Sequence, residues 1–336
     1  MNKKVSILLF ICCIYLNVNA QDPFLSQVYG AAQFLSPSTV GNGIYQSRVQ
    51  SNYRSQSIAG NSLYRTIVVG WDGRYKNKNT DVQNYLGVGG QIISDQVMNG
   101  ILQTNYATIN AAYHMYFDES IKRDFSLGLG LTMAQSNLQL DKLKLYDQFS
   151  MGQFISNSQS ISLQNLNSTA SKISVNTGLL YTKHDENSFL EISANAFFMS
   201  KPDLTKNSKS TASGFKMVSF INFEKEVDDN KKTFLMHASY MNRNNMNQLL
   251  VGGAISLPFG SYYEYVNRIY VGLLYRVGDA VIPNFSILMN QYRFGISYDA
   301  YSRGLTGAVL NPNSIELSFS TSFGNKRNNN FRTIFD

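Results

Sequence analysis

The feature that most constrains this chain is a strict two-residue alternation in segments of membrane-crossing length. In residues 314–323 one side is apolar, at Ile315, Leu317, Phe319 and Phe323. The other side carries one carboxylate and three hydroxyls, at Glu316, Ser318, Ser320 and Ser322. A helix cannot satisfy this period. A strand with lipid on one side and a polar lumen on the other satisfies it, and so does a strand of a soluble sandwich.

Thirteen further segments have strand character, which makes fourteen in all. They are 44–56, 63–75, 83–96, 103–117, 123–135, 172–183, 188–198, 214–226, 232–242, 247–257, 267–276, 281–290, 291–298 and the segment 314–323. Many exceed the usual length of about five or six residues. They approach the roughly 9–11 residues that cross a bilayer obliquely. The sequence therefore predicts an all-β fold, a transmembrane antiparallel barrel of about 14 strands behind a short N-terminal lead-in.

The connections between these segments favour a bacterial outer-membrane barrel. An even strand number puts both chain ends on one side, which is periplasmic in such barrels. The three longest connections, 136–171, 199–213 and 299–313, follow strands five, seven and thirteen and are predicted to be extracellular. Three tight turns, at 184–187, 227–231 and 290–291, fall on the periplasmic side, although the turn at 258–266 is longer. This asymmetry is typical of outer-membrane barrels.

Composition supports a sheet that faces something other than water. Charged residues are 15% of the chain, against about 25% in ordinary domains. Beyond residue 20 no apolar run reaches the roughly 18 residues of a transmembrane helix. The mature chain is therefore a barrel or an exported soluble protein. A secreted β-sandwich remains the alternative from the residues alone.

The first twenty residues have the layout of a secretory signal peptide, with cleavage expected between Ala20 and Gln21. Both cysteines lie inside it, so no disulfide is expected in the mature chain, and a lipoprotein anchor is disfavoured by the bulky residues before Cys12. The mature net charge of +5, from 27 basic and 22 acidic residues, does not indicate nucleic-acid binding. We predict a signal peptide at 1–20, a periplasmic or plug segment at 21–43, the barrel at 44–324 and a tail at 325–336.

No pattern in the sequence predicts catalysis, a metal or a cofactor. The three histidines, His114, His184 and His237, lack metal-ligand spacing. The glycine-rich stretches 87–90 and 128–130 lie inside predicted strands, where small residues suit a bend or the approach of a plug better than a phosphate. Charged residues near the ends of the last strands predict an Arg–Asp cluster, for which structural pinning is favoured over ligand contact. Its candidates are Arg276, Asp279, Arg293 and Asp299.

Motifs at both ends of the mature chain resemble the PorP/SprF family of type IX secretion outer-membrane proteins of Bacteroidetes. The N-terminal ones are Gln-Asp-Pro-Phe-Leu-Ser-Gln at 21–27 and Tyr-Arg-Ser-Gln at 53–56. The C-terminal ones are Tyr-Arg-Val-Gly-Asp at 275–279, Arg-Phe-Gly-Ile-Ser-Tyr-Asp at 293–299 and Glu-Leu-Ser-Phe at 316–319. The motif residues, expected to have a structural or partner role, are Tyr53, Arg54, Gln56, Tyr275, Arg276, Gly278, Asp279, Arg293, Gly295, Tyr298, Asp299 and Glu316.

The resemblance implies a non-enzymatic barrel in the outer membrane that serves type IX secretion, and gliding motility where that exists. It implies no cofactor and no catalytic residue. The expected partners are ring or translocon subunits, a secreted cargo or surface adhesin, and membrane lipid. A passive porin or a channel for hydrophobic substrates is the alternative function.

Overall fold

A computed structural model describes residues 24–58, 61–75, 84–117, 123–143, 145–150, 153–154, 160–198, 202–206, 215–227, 231–243, 246–260, 267–301 and 313–326. The predicted signal peptide and its Ala20–Gln21 junction lie outside this part, as does most of the predicted tail. No helix within the described ranges is both long enough and apolar enough to span a membrane.

Fourteen antiparallel strands form one closed barrel. They are β1 Ser47–Ile58, β2 Asn61–Tyr75, β3 Tyr85–Val97, β4 Leu102–Tyr116, β5 Arg123–Leu138, β6 Thr169–His184, β7 Ser188–Phe197, β8 Lys216–Glu226, β9 Thr233–Arg243, β10 Met246–Phe259, β11 Asn267–Arg276, β12 Ala280–Met289, β13 Tyr292–Tyr301 and β14 Asn313–Phe323. Each strand pairs with its chain neighbours. Strand β14 closes the barrel on β1, from Ser47 opposite Phe323 to Ser57 opposite Asn313. The predicted barrel of fourteen strands is confirmed, and the sandwich is excluded.

The strand bounds differ from the prediction by a few residues at most. The largest differences are three residues, at the start of β1 (Ser47), the end of β5 (Leu138), the start of β6 (Thr169) and the end of β13 (Tyr301). The prediction ended β13 at Tyr298, just before an aspartate, a residue that favours turns. In the barrel Asp299 stays in the strand because two arginines satisfy its buried carboxylate. The connection 139–168 also contains a short hairpin, Phe149–Ser150 with Gln153–Phe154, and a four-residue helix, Ile161–Gln164.

Side chains alternate between the lumen and the outer surface along every barrel strand. In β5, Leu127, Leu129, Leu131 and Met133 are exposed, whereas Asp124, Ser126 and Thr132 are buried. The outer surface of the other strands is similarly rich in exposed Ile, Leu, Val and Phe. A large exposed apolar surface around a polar interior is the arrangement of a barrel immersed in lipid.

An outward arginine at mid-strand should therefore be costly. For Leu129→Arg we expect a loss of about 2–4 kcal/mol in the free energy of folding into lipid vesicles, because a charge at the bilayer midplane is poorly solvated. The matched control is Gln135→Arg, also outward but nearer the end of β5, where the expected cost is about 0–1 kcal/mol. Urea titration in vesicles measures both. Equal costs would place β5 away from lipid.

The longer connections lie at one end of the barrel. We call the end where β1 begins and β14 finishes the terminal end, and the other the opposite end. The strands joined by the connections 139–168, 198–215 and 302–312 meet those connections at the opposite end. The strands joined by the tight turns 185–187, 227–232 and 290–291 meet them at the terminal end.

Residues 24–43, which precede β1, lie inside the barrel. We call Phe24–Gly43 the lumenal segment. It contains only single turns of helix, at Val28–Gly30, Ala32–Leu35 and Pro37–Thr39. It begins toward the opposite end, where the Phe24 ring lies 4.4 Å from the Arg276 guanidinium. It finishes at the terminal end, where Gly43 accepts a hydrogen bond from Arg74.

Candidate functional site

The inner wall of the barrel has two chemically different sides. Strands β1 to β6 and β14 present mainly amides, hydroxyls and charged groups to the lumen. Strands β8 to β12 present an apolar wall, formed by Val218, Phe220, Leu235, Leu250, Leu274 and Ile282. The lumenal segment divides accordingly, because Leu25, Phe34 and Leu35 belong to the same apolar cluster as that wall. Its polar groups face the other side.

A buried ion cluster fixes the first residues of the lumenal segment. Arg54 and Arg276 each donate to Asp299 over 2.7 Å. Arg54 also donates to Glu316, at 3.2 Å. The two carboxylate oxygens of Glu316 accept the backbone N–H groups of Ser26 and Gln27, each at 2.7 Å. Charge-assisted hydrogen bonds of this kind are about twice as strong as neutral ones.

The Ser26 side chain lies at the centre of this cluster. Its hydroxyl donates to Asp299 over 3.0 Å and accepts from Arg54 and Arg276 over 2.8 and 2.7 Å. Buried charges stabilise a structure only when their hydrogen-bonding capacity is met. Ser26 supplies partners that the wall alone lacks, so the cluster and the segment depend on one another.

Four of the motif residues meet in this cluster: Arg54, Arg276, Asp299 and Glu316. Asp279 joins through Arg276 at 2.8 Å, with a side chain that is partly exposed. Arg293 does not join. As the alternation predicts, it faces the lumen, where its guanidinium lies 4.8 Å from the Tyr29 ring and 4.3 Å from the Tyr270 ring.

The remaining motif residues are spread over the wall. Gln56 faces the lumen, whereas Tyr53, Tyr275 and Tyr298 face outward. Gly278 has φ of +76° in the turn after β11, a conformation that favours glycine. Gly295 lies against the Gln27 side chain, with Gln27 Oε1 2.5 Å from where a Cβ would stand.

A second ion pair holds the far end of the lumenal segment. Arg48 and Asp72, both almost fully buried, pair at 3.1 Å. Asp72 also accepts the Gly41 N–H over 2.8 Å, and Arg48 reaches the Thr39 carbonyl. The segment is therefore anchored at both ends by carboxylates that accept its main-chain N–H groups.

Two histidines and an aspartate are buried beside this second anchor. His114 Nε2 contacts the Val40 carbonyl at 2.8 Å, and its Nδ1 contacts Ser126 at 2.6 Å. Asp124 lies 3.7 Å from His114 and 3.8 Å from His184. Within the described ranges no three His, Cys, Asp or Glu side chains are arranged to hold a metal. His114 and His184 are both buried in the barrel interior.

Glycines of the wall make room for the backbone of the lumenal segment. A Cβ on Gly128 would stand 2.5 Å from Ser38 Cα, and one on Gly87 would stand 2.7 Å from the Val40 carbonyl carbon. On Gly178 it would stand 3.0 Å from Pro37 Cδ. Gly87 and Gly128 belong to the glycine-rich stretches at which the sequence predicted either a bend or the approach of a plug. The approach of residues 37–40 is the reason at Gly87 and Gly128.

Lys216 is buried at the start of β8 between two aromatic rings. Its Nζ lies 4.7 Å from the Phe34 ring and 5.5 Å from the Phe197 ring, and no carboxylate of the described chain pairs with it. For Lys216→Met we expect the free energy of unfolding to rise by about 1–3 kcal/mol. Burial removes water from the ammonium, and the two aromatic rings replace only part of that solvation. The temperature at which half of the protein changes from the folded to the unfolded band on gels, the midpoint of heat-modified mobility, should rise by a few degrees. Lys183→Met is the control, since that lysine forms a half-exposed pair with Asp185. A lower midpoint for Lys216→Met would show that the ammonium stabilises the fold.

The profile of the family described as "Type IX secretion system membrane protein PorP/SprF" matches residues 17–321. The chain belongs to this PorP/SprF family. The match spans the lumenal segment and thirteen complete barrel strands, and it confirms the resemblance drawn from the motifs. Family and barrel together support an outer-membrane location.

Solved structures share the architecture at low sequence identity. A TodX deltaS2S3 mutant monoaromatic hydrocarbon channel has a TM-score of 0.50 and 11% identity, over 87% of this chain and 94% of that one. The CymD monoaromatic hydrocarbon channel has a TM-score of 0.49 and 13% identity, over 92% of this chain and 96% of that one. A Pseudomonas aeruginosa FadL homologue has a TM-score of 0.47 and 8% identity, over 88% of this chain and 94% of that one. At 11% identity, the TodX match shows a common fold and nothing more. No curated protein matches this PorP/SprF chain.

Proposed function

We propose that this PorP/SprF chain is a non-enzymatic outer-membrane component of the type IX secretion system that supports export or surface attachment of particular cargo proteins. The family match over residues 17–321 carries the proposal. The lumen supports it as well, because its charged side chains are engaged with each other and with the lumenal segment. A role in gliding belongs to the same proposal for hosts that glide.

The proposed orientation puts the terminal end of the barrel in the periplasm. Long connections at the opposite end support this, because outer-membrane barrels keep their long loops outside. Ring or translocon subunits would then meet the tight turns, and cargo or adhesin would meet the long connections. We also propose that residues 1–20 are removed between Ala20 and Gln21. N-terminal sequencing of the protein purified from outer membranes tests this cleavage.

Deleting the gene tests the secretion role. We expect specific surface or secreted proteins to be lost from the cell envelope and medium and to accumulate in the periplasm, as measured by quantitative mass spectrometry of each fraction. Re-expression should restore them. Unchanged surface and secreted proteins in the deletion strain would overturn the proposal.

A channel for hydrophobic molecules is the second candidate. The apolar wall on β8 to β12 favours it, since a water-filled pore has a polar lining. The TodX and CymD structures of similar architecture are described as monoaromatic hydrocarbon channels. Uptake of a radiolabelled monoaromatic hydrocarbon by cells with and without the gene tests it. Equal uptake would remove this candidate.

A further inference from the structure

The main chain of the lumenal segment is held by side chains of the barrel wall. Glu316 accepts two consecutive N–H groups, from Ser26 and Gln27. The Gln50 amide accepts from Ala32 N at 3.0 Å and donates to the Tyr29 carbonyl at 3.1 Å. These are contacts to groups that every peptide has.

The same kind of contact continues along the segment. Gln91 donates to the carbonyl of Gln33 at 3.4 Å. His114 contacts the carbonyl of Val40, and Asp72 accepts from Gly41 N. With the Thr39 carbonyl, which Arg48 contacts, the wall satisfies peptide groups at eight residues between 26 and 41.

The segment has little structure that would hold its shape alone. Its helical turns are three or four residues long, well below the roughly 12–15 residues at which an isolated helix becomes stable. Both cysteines of the chain lie at 12 and 13, so no disulfide can tie the segment to the wall. Its conformation is imposed by the wall.

The shape of the wall adds a second requirement to this binding. The glycines at 87 and 128 accommodate the backbone at Pro37, Ser38 and Val40, and Gly178 lies against the Pro37 ring. Phe34 and Leu35 pack in the same hydrophobic cluster as the apolar wall. A ligand for this surface is thus an irregular peptide with two adjacent apolar residues, followed by a compact stretch.

We propose that the lumen is a peptide-binding site that recognises its ligand chiefly through the main chain, and that Phe24–Gly43 is the resident ligand. A separate peptide with the same backbone shape binds in its place once the resident is no longer joined to β1. Peptide binding by the purified protein does not depend on the secretion role, so either proposal can fail without the other.

The test uses the full chain, folded before it is cut. A protease recognition sequence is inserted between Tyr45 and Gln46, where Gln46 is exposed. The folded protein is cleaved in detergent and incubated with a fluorescent synthetic peptide of residues 21–43. We expect saturable binding of one peptide per barrel, with release of the resident segment. The uncut protein, whose site is occupied, should bind none.

A second peptide separates main-chain recognition from side-chain recognition. It carries N-methyl groups on the Gln27, Ala32 and Gly41 nitrogens, which removes three donors and leaves every side chain unchanged. We expect its dissociation constant to be at least tenfold higher. A control peptide methylated at Ser38 would not serve, because that N–H contacts the Ser36 hydroxyl within the segment. The control instead exchanges Tyr29 for Phe, which keeps all main-chain donors and should bind within threefold of the parent.

Three results would overturn the proposal. The labelled peptide fails to enter the cut protein, even after the resident has been given hours at raised temperature to exchange. The methylated peptide binds as tightly as the parent. The cut barrel loses its heat-modifiable form when the resident leaves, which would make the segment part of the folded core and not a ligand.

Discussion

Replacing Glu316 with alanine should detach the first residues of the lumenal segment from the wall. The carboxylate accepts from Ser26 N, Gln27 N and Arg54, and also from Asn52 at 2.8 Å. Without it, two arginines share Asp299 inside the barrel. Breaking a buried charged network by removing one partner costs about 3–5 kcal/mol. We expect residues 24–35 to become accessible while the barrel itself stays closed.

Limited proteolysis in detergent, read by mass spectrometry, measures that release. Cleavage after Phe24 or Leu25 should appear in Glu316→Ala within the time in which the parent protein stays intact. Asp185→Asn is the matched control. It removes a carboxylate from an exposed pair with Lys183, and such pairs contribute only about 0–1 kcal/mol. A Glu316→Ala protein as protected as its parent, with unchanged gel mobility, would mean that the cluster does not hold the segment.

Alanine at Gly128 should push the lumenal segment away from the wall of β5. Its Cβ would stand 2.5 Å from both Ser38 Cα and the Pro37 carbonyl carbon, and backbone atoms cannot rotate aside. We expect the free energy of unfolding to fall by about 1–3 kcal/mol, which is the usual cost of overpacking. Gly87→Ala should act in the same direction at Val40, and the two should not be additive, because both move the same short stretch.

Gly70→Ala provides the control for this substitution. Its Cβ would meet neighbours no closer than 3.4 Å, which is ordinary contact. Alanine in a strand interior without a clash is favoured over glycine by about 0.5–1 kcal/mol. The two substitutions are therefore expected to shift the midpoint of heat-modified mobility in opposite directions. A midpoint for Gly128→Ala at or above that of the parent would contradict the close approach of residues 37–38.

Much of the fold was predictable because the relevant signal is local. Inward and outward side chains alternate along each strand, so a few consecutive residues such as Phe125–Leu131 reveal both the strand and its two sides. The even strand number and the lengths of the connections then follow from counting. The end of β13 was missed at Asp299, whose turn preference is overridden by two arginines from other strands.

The candidate site was only partly predictable. Arg276 and Asp299 suggested a charged cluster because both occur near strand ends in one stretch of sequence. Arg54 and Glu316 were selected by family resemblance alone, and Arg293 was assigned to the wrong group. The contact of Ser26 with Asp299 was not predicted, although Ser26 lies in the N-terminal motif, because the two residues are 273 positions apart in the chain. The lumenal segment is non-periodic because its peptide groups pair with the wall, so nothing in its own sequence reveals its shape.

The sequence by itself determined that this chain forms long two-sided strands, how many there are and which family they belong to. Those properties depend on the period of neighbouring side chains and on short motifs. The tertiary structure decided where residues 24–43 lie, which charged side chains meet, and why residues 87 and 128 have to be glycine. Those properties depend on closing the barrel, since β1 and β14 are paired across more than 250 residues of chain. Only that closure encloses a lumen whose polar and apolar sides can hold a segment that has no structure of its own.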